Sequence, residues 1–300
     1  MGAVRPRRVD GYLENGRFYG SWKRGHYPFP YDEEEKERLD IFHKMFMTAR
    51  KDVYYFAPID KLPSPLILDL GCGTGIWTID VADKFPQGMV HGVDLALIQP
   101  EYIPPNIKFD QMDIEDPWRN MRPGEWDLIH MRTLNGSIAN WPHLYGEIYR
   151  HLKPQSGYIE QVEIDFVPKS HDNSVHQHTC VAQWAEELMA ATEKLGRPLR
   201  MDAEVTKRRL HAAGFVEIRH ETIMIPLNGW PSDAQARDVG RWFNLGMKLG
   251  IHALTVGPLT RAHNRSAEEV YNIINRVTGE IHLRELRGFC TLHIFSARRP

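Results

Sequence analysis

Through the middle of the chain, short apolar runs alternate with stretches whose apolar residues recur at helical spacing. LILDL (66–70), MVHGVDL (89–95), IKFDQMD (107–113), WDLIHM (126–131) and GYIEQVEIDF (157–166) read as strands. Between the first two, residues 75–85 set Trp77, Val81 and Phe85 on one helical face, and a further helix is expected over 144–152. Short apolar strands separated by helices need crossover connections, so the pattern predicts an α/β fold with a mostly parallel sheet covered on both faces. Beyond residue 172 the chain becomes more helical. Helices are expected over 183–195, over a stretch ending at Ala213 before Gly214, and over about 232–250 and 266–284, with strands at 215–225 and 290–297. The expected organisation is an aromatic-rich arm (1–31) and one domain (32–300) with helical insertions at about 171–200 and 232–284.

The arm has no sustained period and reads as irregular. It holds Tyr12, Phe18, Tyr19, Trp22, Tyr27, Phe29 and Tyr31, a density at odds with a solvated tail, so it is expected to lie over a cofactor pocket or on a partner surface. The run that follows, DEEEKERLDIFHKMFMTAR, opens on acids, closes on a base and spaces Leu39, Phe42 and Phe46 along one face. Those features make it a helix that complements its own dipole.

Composition narrows the class. A 42% hydrophobic and 25% charged chain is globular rather than disordered. With 37 Lys+Arg against 39 Asp+Glu there is no overall basic excess of the kind direct nucleic-acid binding draws on. Cys72, Cys180 and Cys290 are too far apart for a disulfide framework or a paired-cysteine zinc site, which fits a reducing, intracellular setting. His171, His176, His178 and Cys180 crowd one stretch, but their spacing matches no standard metal site, and no metal is expected. No apolar run approaches the roughly 20 residues that span a bilayer, and the N-terminus lacks the apolar core of a secretory signal, so neither a membrane nor secretion is expected.

The candidate chemistry starts at Asp69-Leu70-Gly71-Cys72-Gly73-Thr74-Gly75, where a strand runs into glycines that open a helix. Such a turn brings backbone N–H groups close to a ligand. A dinucleotide fingerprint would place Gly or Ala at residue 76, which is Ile76, and the carboxylate of Asp69 would repel a pyrophosphate. A ligand carrying an ammonium group suits Asp69 better, and S-adenosylmethionine is one. Asp94, 19 residues after Gly75, stands where an acid accepts from ribose hydroxyls, with Leu95 beside it. Asp113, expected to close the third strand, and Ile114 stand where adenine would lie. Ligands of open α/β sheets bind outside the carboxyl ends of the strands, and these positions lie there together.

The ordered set DLGCGTG, GVD, MDIED and WDLIHM resembles the class I S-adenosylmethionine-dependent methyltransferases, a Rossmann-like fold. The resemblance implies a seven-stranded sheet with an antiparallel last strand, here CTLHIFSA. Where that family often has Lys-Pro-Gly-Gly, this chain has Lys153-Pro154-Gln155-Ser156-Gly157. Several longer strings, ENGRFY, KRGHYPFP, RLDIFHKMF, DLGCGTGIWTIDVADKFP, GVDLALIQP, GSIANWPHLY and EQVEIDF, resemble the LaeA-type fungal methyltransferases from about Gly11 to the last strand. That resemblance implies a nuclear regulator of transcription, secondary metabolism and development that works in a complex with velvet-domain proteins. Two rivals share the fold: a biosynthetic O- or N-methyltransferase for small molecules, and a scaffold in which cofactor binding serves complex formation.

In-line methyl transfer needs alignment more than a fixed catalytic side chain. His130 at the end of the fourth strand is either a general base that also touches the cofactor or a packing residue. Trp141 is either an aromatic wall for the acceptor or a helix anchor. Glu160, Glu163 and Asp165 give one face of the fifth strand acidic character, suited to a cationic acceptor or to satisfied structural roles. The helical insertions are expected to roof the pocket above His130 and Trp141, with Tyr271 or Trp242 in contact. VRPRR (4–8) and KRR (207–209) are short basic clusters that serve import or simply solvate the surface.

Overall fold

The computed structural model describes residues 10–300, so the basic cluster at 4–8 lies outside the described residues. A hairpin of β1 (Gly11–Glu14) and β2 (Arg17–Gly20) precedes α1 (Glu33–Ala49). There follow β3 (Leu66–Leu70), α2 (Ile76–Lys84), β4 (Met89–Asp94), β5 (Ile107–Gln111), β6 (Leu128–Arg132), α3 (Trp141–His151) and β7 (Tyr158–Lys169). The remainder is α4 (Cys180–Lys194), α5 (Ala203–Ala212), β8 (Val216–Pro226), α6 (Ala234–His263), α7 (Ala267–Ile281) and β9 (Phe289–Arg298). The sheet has seven strands in the order β5-β4-β3-β6-β7-β9-β8. β3 to β7 are parallel, and β9 runs antiparallel to both neighbours, as expected for its last strand. The order reverses at β3, which opens a crevice at its carboxyl end.

Three differences from the sequence reading have physical causes. Residues 11–20 of the arm form a hairpin rather than irregular chain, while 21–31 are irregular as expected: Asn15 and Gly16 both take positive φ in the hairpin turn, and Tyr19 is almost wholly buried. β5 stops at Gln111, so Asp113 lies in the loop beyond the strand. α6 runs to His263, past the end expected at about 250 and through Gly257 and Pro258. Its glycines permit close approach: a Cβ on Gly246 would clash with the Phe42 ring, and one on Gly257 with the Pro28 carbonyl. α6 therefore carries both α1 and the arm, and tertiary burial overrides local propensity. In the turn before β7, Gln155 takes φ +66°, so the chain turns in the left-handed region without a glycine there.

α1 begins where Asp32 caps it, accepting from Glu35 N at 3.1 Å and pairing with Arg17 of β2 at 2.6 Å. It ends at Arg50, which donates to Glu160 of β7 at 2.7 Å with both side chains buried. The second Glu160 oxygen accepts from Phe56 N, so one carboxylate in the sheet holds both the end of α1 and the loop after it. In the KRR cluster, Lys207 pairs with Glu204 one helical turn away on α5. No described helix is long and apolar enough to cross a membrane.

Removing one partner of a buried ion pair strands the other charge, at a cost of about 3–5 kcal/mol. Arg50→Met is expected to lower unfolding stability by that amount in urea titration; a loss under about 1 kcal/mol, the range of an exposed pair, would show that water reaches Glu160.

Candidate functional site

The carboxyl ends of β3, β4 and β6 and the loop after β5 meet α1 and the arm around a cavity of two adjoining lobes. The larger spans about 1030 Å³ when the open space at its mouth is counted. The smaller, about 450 Å³, lies against the glycine turn. Gly71, Gly73, Leu39, Phe42, Arg132 and Thr133 line both.

Asp94, Leu95, Asp113 and Ile114 line the large lobe. Gly73 N donates to Asp94 Oδ2 at 2.8 Å and Ala96 N to Oδ1 at 3.0 Å, which points the carboxylate along the cavity wall. Burial nevertheless pushes its pKa up to about 6, against the lowering effect of those N–H groups. Gly71 and Gly73 have φ +66° and +56°, and a Cβ on Gly71 would meet Leu134 at 2.5 Å, so the turn needs glycine for conformation and for space. Asp69, Cys72 and His130 line the small lobe. Gly75 lines neither: it caps α2 at φ +79° against the Phe109 ring, a structural place rather than the cofactor contact expected of it. Burial raises the Cys72 thiol well above its usual range, which suits packing and not nucleophilic chemistry.

Asp69 is engaged within the protein. Thr78 Oγ1 donates to Oδ2 at 2.7 Å, and His130 Nδ1 lies 2.8 Å from Oδ1. The His130 ring stacks on Trp77 at 3.6 Å, and burial lowers its pKa, so the ring is neutral and gives its Nδ1 proton to Asp69. Nε2 is then a buried acceptor with no partner among the described residues. A ring 1% exposed and locked on two sides cannot act as a mobile general base, so the structure corrects that role. The N–H groups of the turn are engaged within the protein: Gly71 N and Cys72 N donate to the Val93 carbonyl, Gly73 N to Asp94 and Gly75 N to the Cys72 carbonyl. What the turn offers a ligand is room for close approach, and with the Asp94 carboxylate at the wall of the large lobe this fits the nucleoside end of S-adenosylmethionine, leaving the small lobe for its amino-acid end.

Trp141 does not line the cavity. It is 5% exposed at the start of α3, packed on Tyr145, and anchors that helix. Nor do Tyr271, which donates to the Asn15 carbonyl, or Trp242, which packs on the core. The insertions contribute Leu199 and Leu254 instead, opposite Tyr27, Phe29 and Tyr31 of the arm. Tyr27 stacks on Tyr31 at 5.2 Å and meets Phe29 edge-on at 5.3 Å. Lys23 and His26 of the arm lie 3.5 and 3.4 Å from Asp113. Glu163 lines the large lobe, accepting from Leu134 N and Asn135 N, with its pKa pushed up to about 7 by burial. Arg132 was missed in the sequence, although a charge directly after the apolar run DLIHM was its signal.

A methyltransferase-domain family model matches residues 41–220. Among solved structures, the cyclase SpnF superposes with a TM-score of 0.52 at 17% identity, covering 86% of this chain and 80% of that one, a likeness of fold alone. Fold and site together define the class I methyltransferase fold. The chain is 43% identical over 299 residues to the secondary metabolism regulator LAE1 of Cochliobolus heterostrophus, covering 98% of this chain and 97% of that protein. It is also 43% identical to the secondary metabolism regulator laeA of Aspergillus fumigatus, over 98% of this chain and 78% of that one. The chain belongs to this LaeA/LAE1 family of methyltransferase-domain proteins.

Ribose hydroxyls donate to the ionised form of Asp94, so binding favours deprotonation and affinity is lost as pH falls through about 6. Calorimetry with S-adenosylhomocysteine is expected to show binding about tenfold weaker at pH 5 than at pH 7, with Asp94→Asn weak and nearly flat across that range. An equally steep profile in Asp94→Asn would assign the titration to another group.

Proposed function

We propose that this chain binds S-adenosylmethionine across the two lobes and transfers its methyl group to an acceptor held in the apolar end of the larger one. The observation that carries this reading is the juxtaposition of the Asp94 carboxylate, held by the glycine turn, with a chamber closed by Phe29, Phe42, Ile164, Phe166, Leu199 and Leu254. Displacement at a sulfonium methyl needs a dry, aligned encounter and no covalent help from the protein. The arm supplies part of the wall, so it must open for entry and close for transfer. A narrow apolar end suits a small acceptor or one apolar side chain, which keeps the biosynthetic reading beside the regulatory one.

On the strength of the family, the chain is further proposed to regulate secondary metabolism and development, as its named relatives do for secondary metabolism. It would act in the nucleus, in a transcription-regulating complex with velvet-domain proteins. The sequence resemblance supports location and partners, and the cavity supports the chemistry.

The test uses the full chain with methyl-labelled S-adenosylmethionine, offered separately a fungal small-molecule extract and a nuclear protein extract. Label is expected in one pool and is abolished by Gly71→Val, which fills the turn. Binding of S-adenosylhomocysteine without label in either pool would refute transfer and favour a scaffold. Recovery of velvet-domain proteins by the tagged chain from nuclear extract is the expected partner result, and their absence would count against the complex.

A further inference from the structure

Arg132 ends β6 where the two lobes join, and its side chain lines both. Among the described residues it forms no ion pair. Its two terminal nitrogens each lie 3.4 Å from His43 Nδ1, and its guanidinium sits 4.6 Å over the Phe46 ring. His43 is itself oriented: Nε2 lies 2.9 Å from Asp80 Oδ2, and burial lowers its pKa, so the neutral ring donates to Asp80 and turns an acceptor to Arg132. Asp69, Asp80 and Asp40 favour the charge of Arg132 from a distance, while Arg50 opposes it. Burial pulls its pKa down to about 10, which still leaves it a cation at neutral pH. The buried arginines Arg38 and Arg50 are paired, with Glu35 and Glu160, whereas Arg132 is half-buried. A partly desolvated cation without a counter-ion, held by a His–Asp chain at a cavity wall, is prepared for an anion.

We infer that Arg132 is the anion site of the cavity and that it clamps the carboxylate of the amino-acid tail of the cofactor. The inference rests on the cofactor reading above. S-adenosylmethionine carries one anionic group, its carboxylate. The small lobe on the glycine turn is where that tail would lie, and Arg132 lines that lobe at the end of β6. His43 and Asp80 act as positioning residues, fixing the guanidinium through its hydrogen bond.

The test measures binding of two probes to the full chain by calorimetry: S-adenosylhomocysteine and its decarboxylated analogue, which keeps the amine and the nucleoside. Wild type is expected to prefer the first. Arg132→Gln is expected to weaken S-adenosylhomocysteine by about 10- to 100-fold, the range for hydrogen bonds to charged groups, and to leave the analogue within about twofold. Arg132→Lys, which keeps charge without the fork, should fall between. The ligand-free unfolding midpoint of Arg132→Gln should not drop, because no internal ion pair is broken. Equal weakening of both probes, or a lowered midpoint, would show a structural arginine and overturn the assignment. Unchanged S-adenosylhomocysteine affinity with impaired transfer would move the anion site to the acceptor and overturn it likewise. Failure of wild type to bind either probe would remove the cofactor reading and this inference with it.

Discussion

The Asp69 carboxylate is the constraint around which the site is set. It stands at the end of the central strand and bonds forward to Thr78 in α2 and sideways to His130 in β6. Those two contacts fix both ends of the glycine turn and the neighbouring strand, so the loop between has little freedom left. Trp77, beside Thr78, stacks on His130 and donates its indole N–H to the Tyr54 carbonyl, extending the network to the segment after α1. The glycine turn then presents Gly73 N to Asp94, and the second carboxylate is aimed by the turn that the first one holds. A buried network of this kind is stabilising only when its members are satisfied, and His130 Nε2 is its one position without a partner among the described residues.

The arm is tied into the same construction from the opposite side. Asp32 both caps α1 and pairs with Arg17, and Arg261 of α6 pairs with Glu14, so the hairpin is fastened to the two helices that wall the chamber. Its far end rests on the nucleotide side through Lys23 and His26 near Asp113 and Asp116. These are exposed or half-exposed pairs, weaker than the buried Arg17 contact. The tip is therefore the part that can release first while the hairpin stays attached, which is the geometry a hinged cover requires.

The strands and the glycine turn were legible because each is a local pattern: LILDL and its following glycines fall where the sequence places them. The seven-stranded sheet and the antiparallel β9 came from the resemblance, and the strand order only from the structure, since spacing alone does not fix which strand neighbours which. What escaped was set by contacts distant in sequence. α6 continues past Gly250 and Gly257 because α1 and the arm pack against their small volume. Trp141 stood open between pocket wall and helix anchor, because an aromatic in a loop suits either, and its neighbours on α3 bury it as the anchor. The arm aromatics signalled burial, but only the structure shows that Tyr27, Phe29 and Tyr31 close the chamber while Tyr12 and Tyr19 pack on each other. Arg132 was passed over because a charge at a strand end is ordinary, and its lack of an acidic partner is visible only in three dimensions.

The same desolvation that organises the site also loads it. Burial raises Asp94 to about 6 and Glu163 to about 7, and lowers Arg132 to about 10, each shift disfavouring the charged form. For the two acids the folded state holds its proton more tightly than the unfolded chain does. Their contribution to stability is thus greatest at low pH and is lost as pH rises through those values. At neutral pH the chamber wall keeps charges that folding alone would not choose. A ligand bringing hydroxyl donors to Asp94 and an anion to Arg132 offsets that cost, and whatever binds the native state alone stabilises it by mass action. Cofactor binding and the integrity of the carboxyl edge of the sheet are for this reason linked quantities, and the arm, resting on Asp113 through Lys23 and His26, borders the same edge.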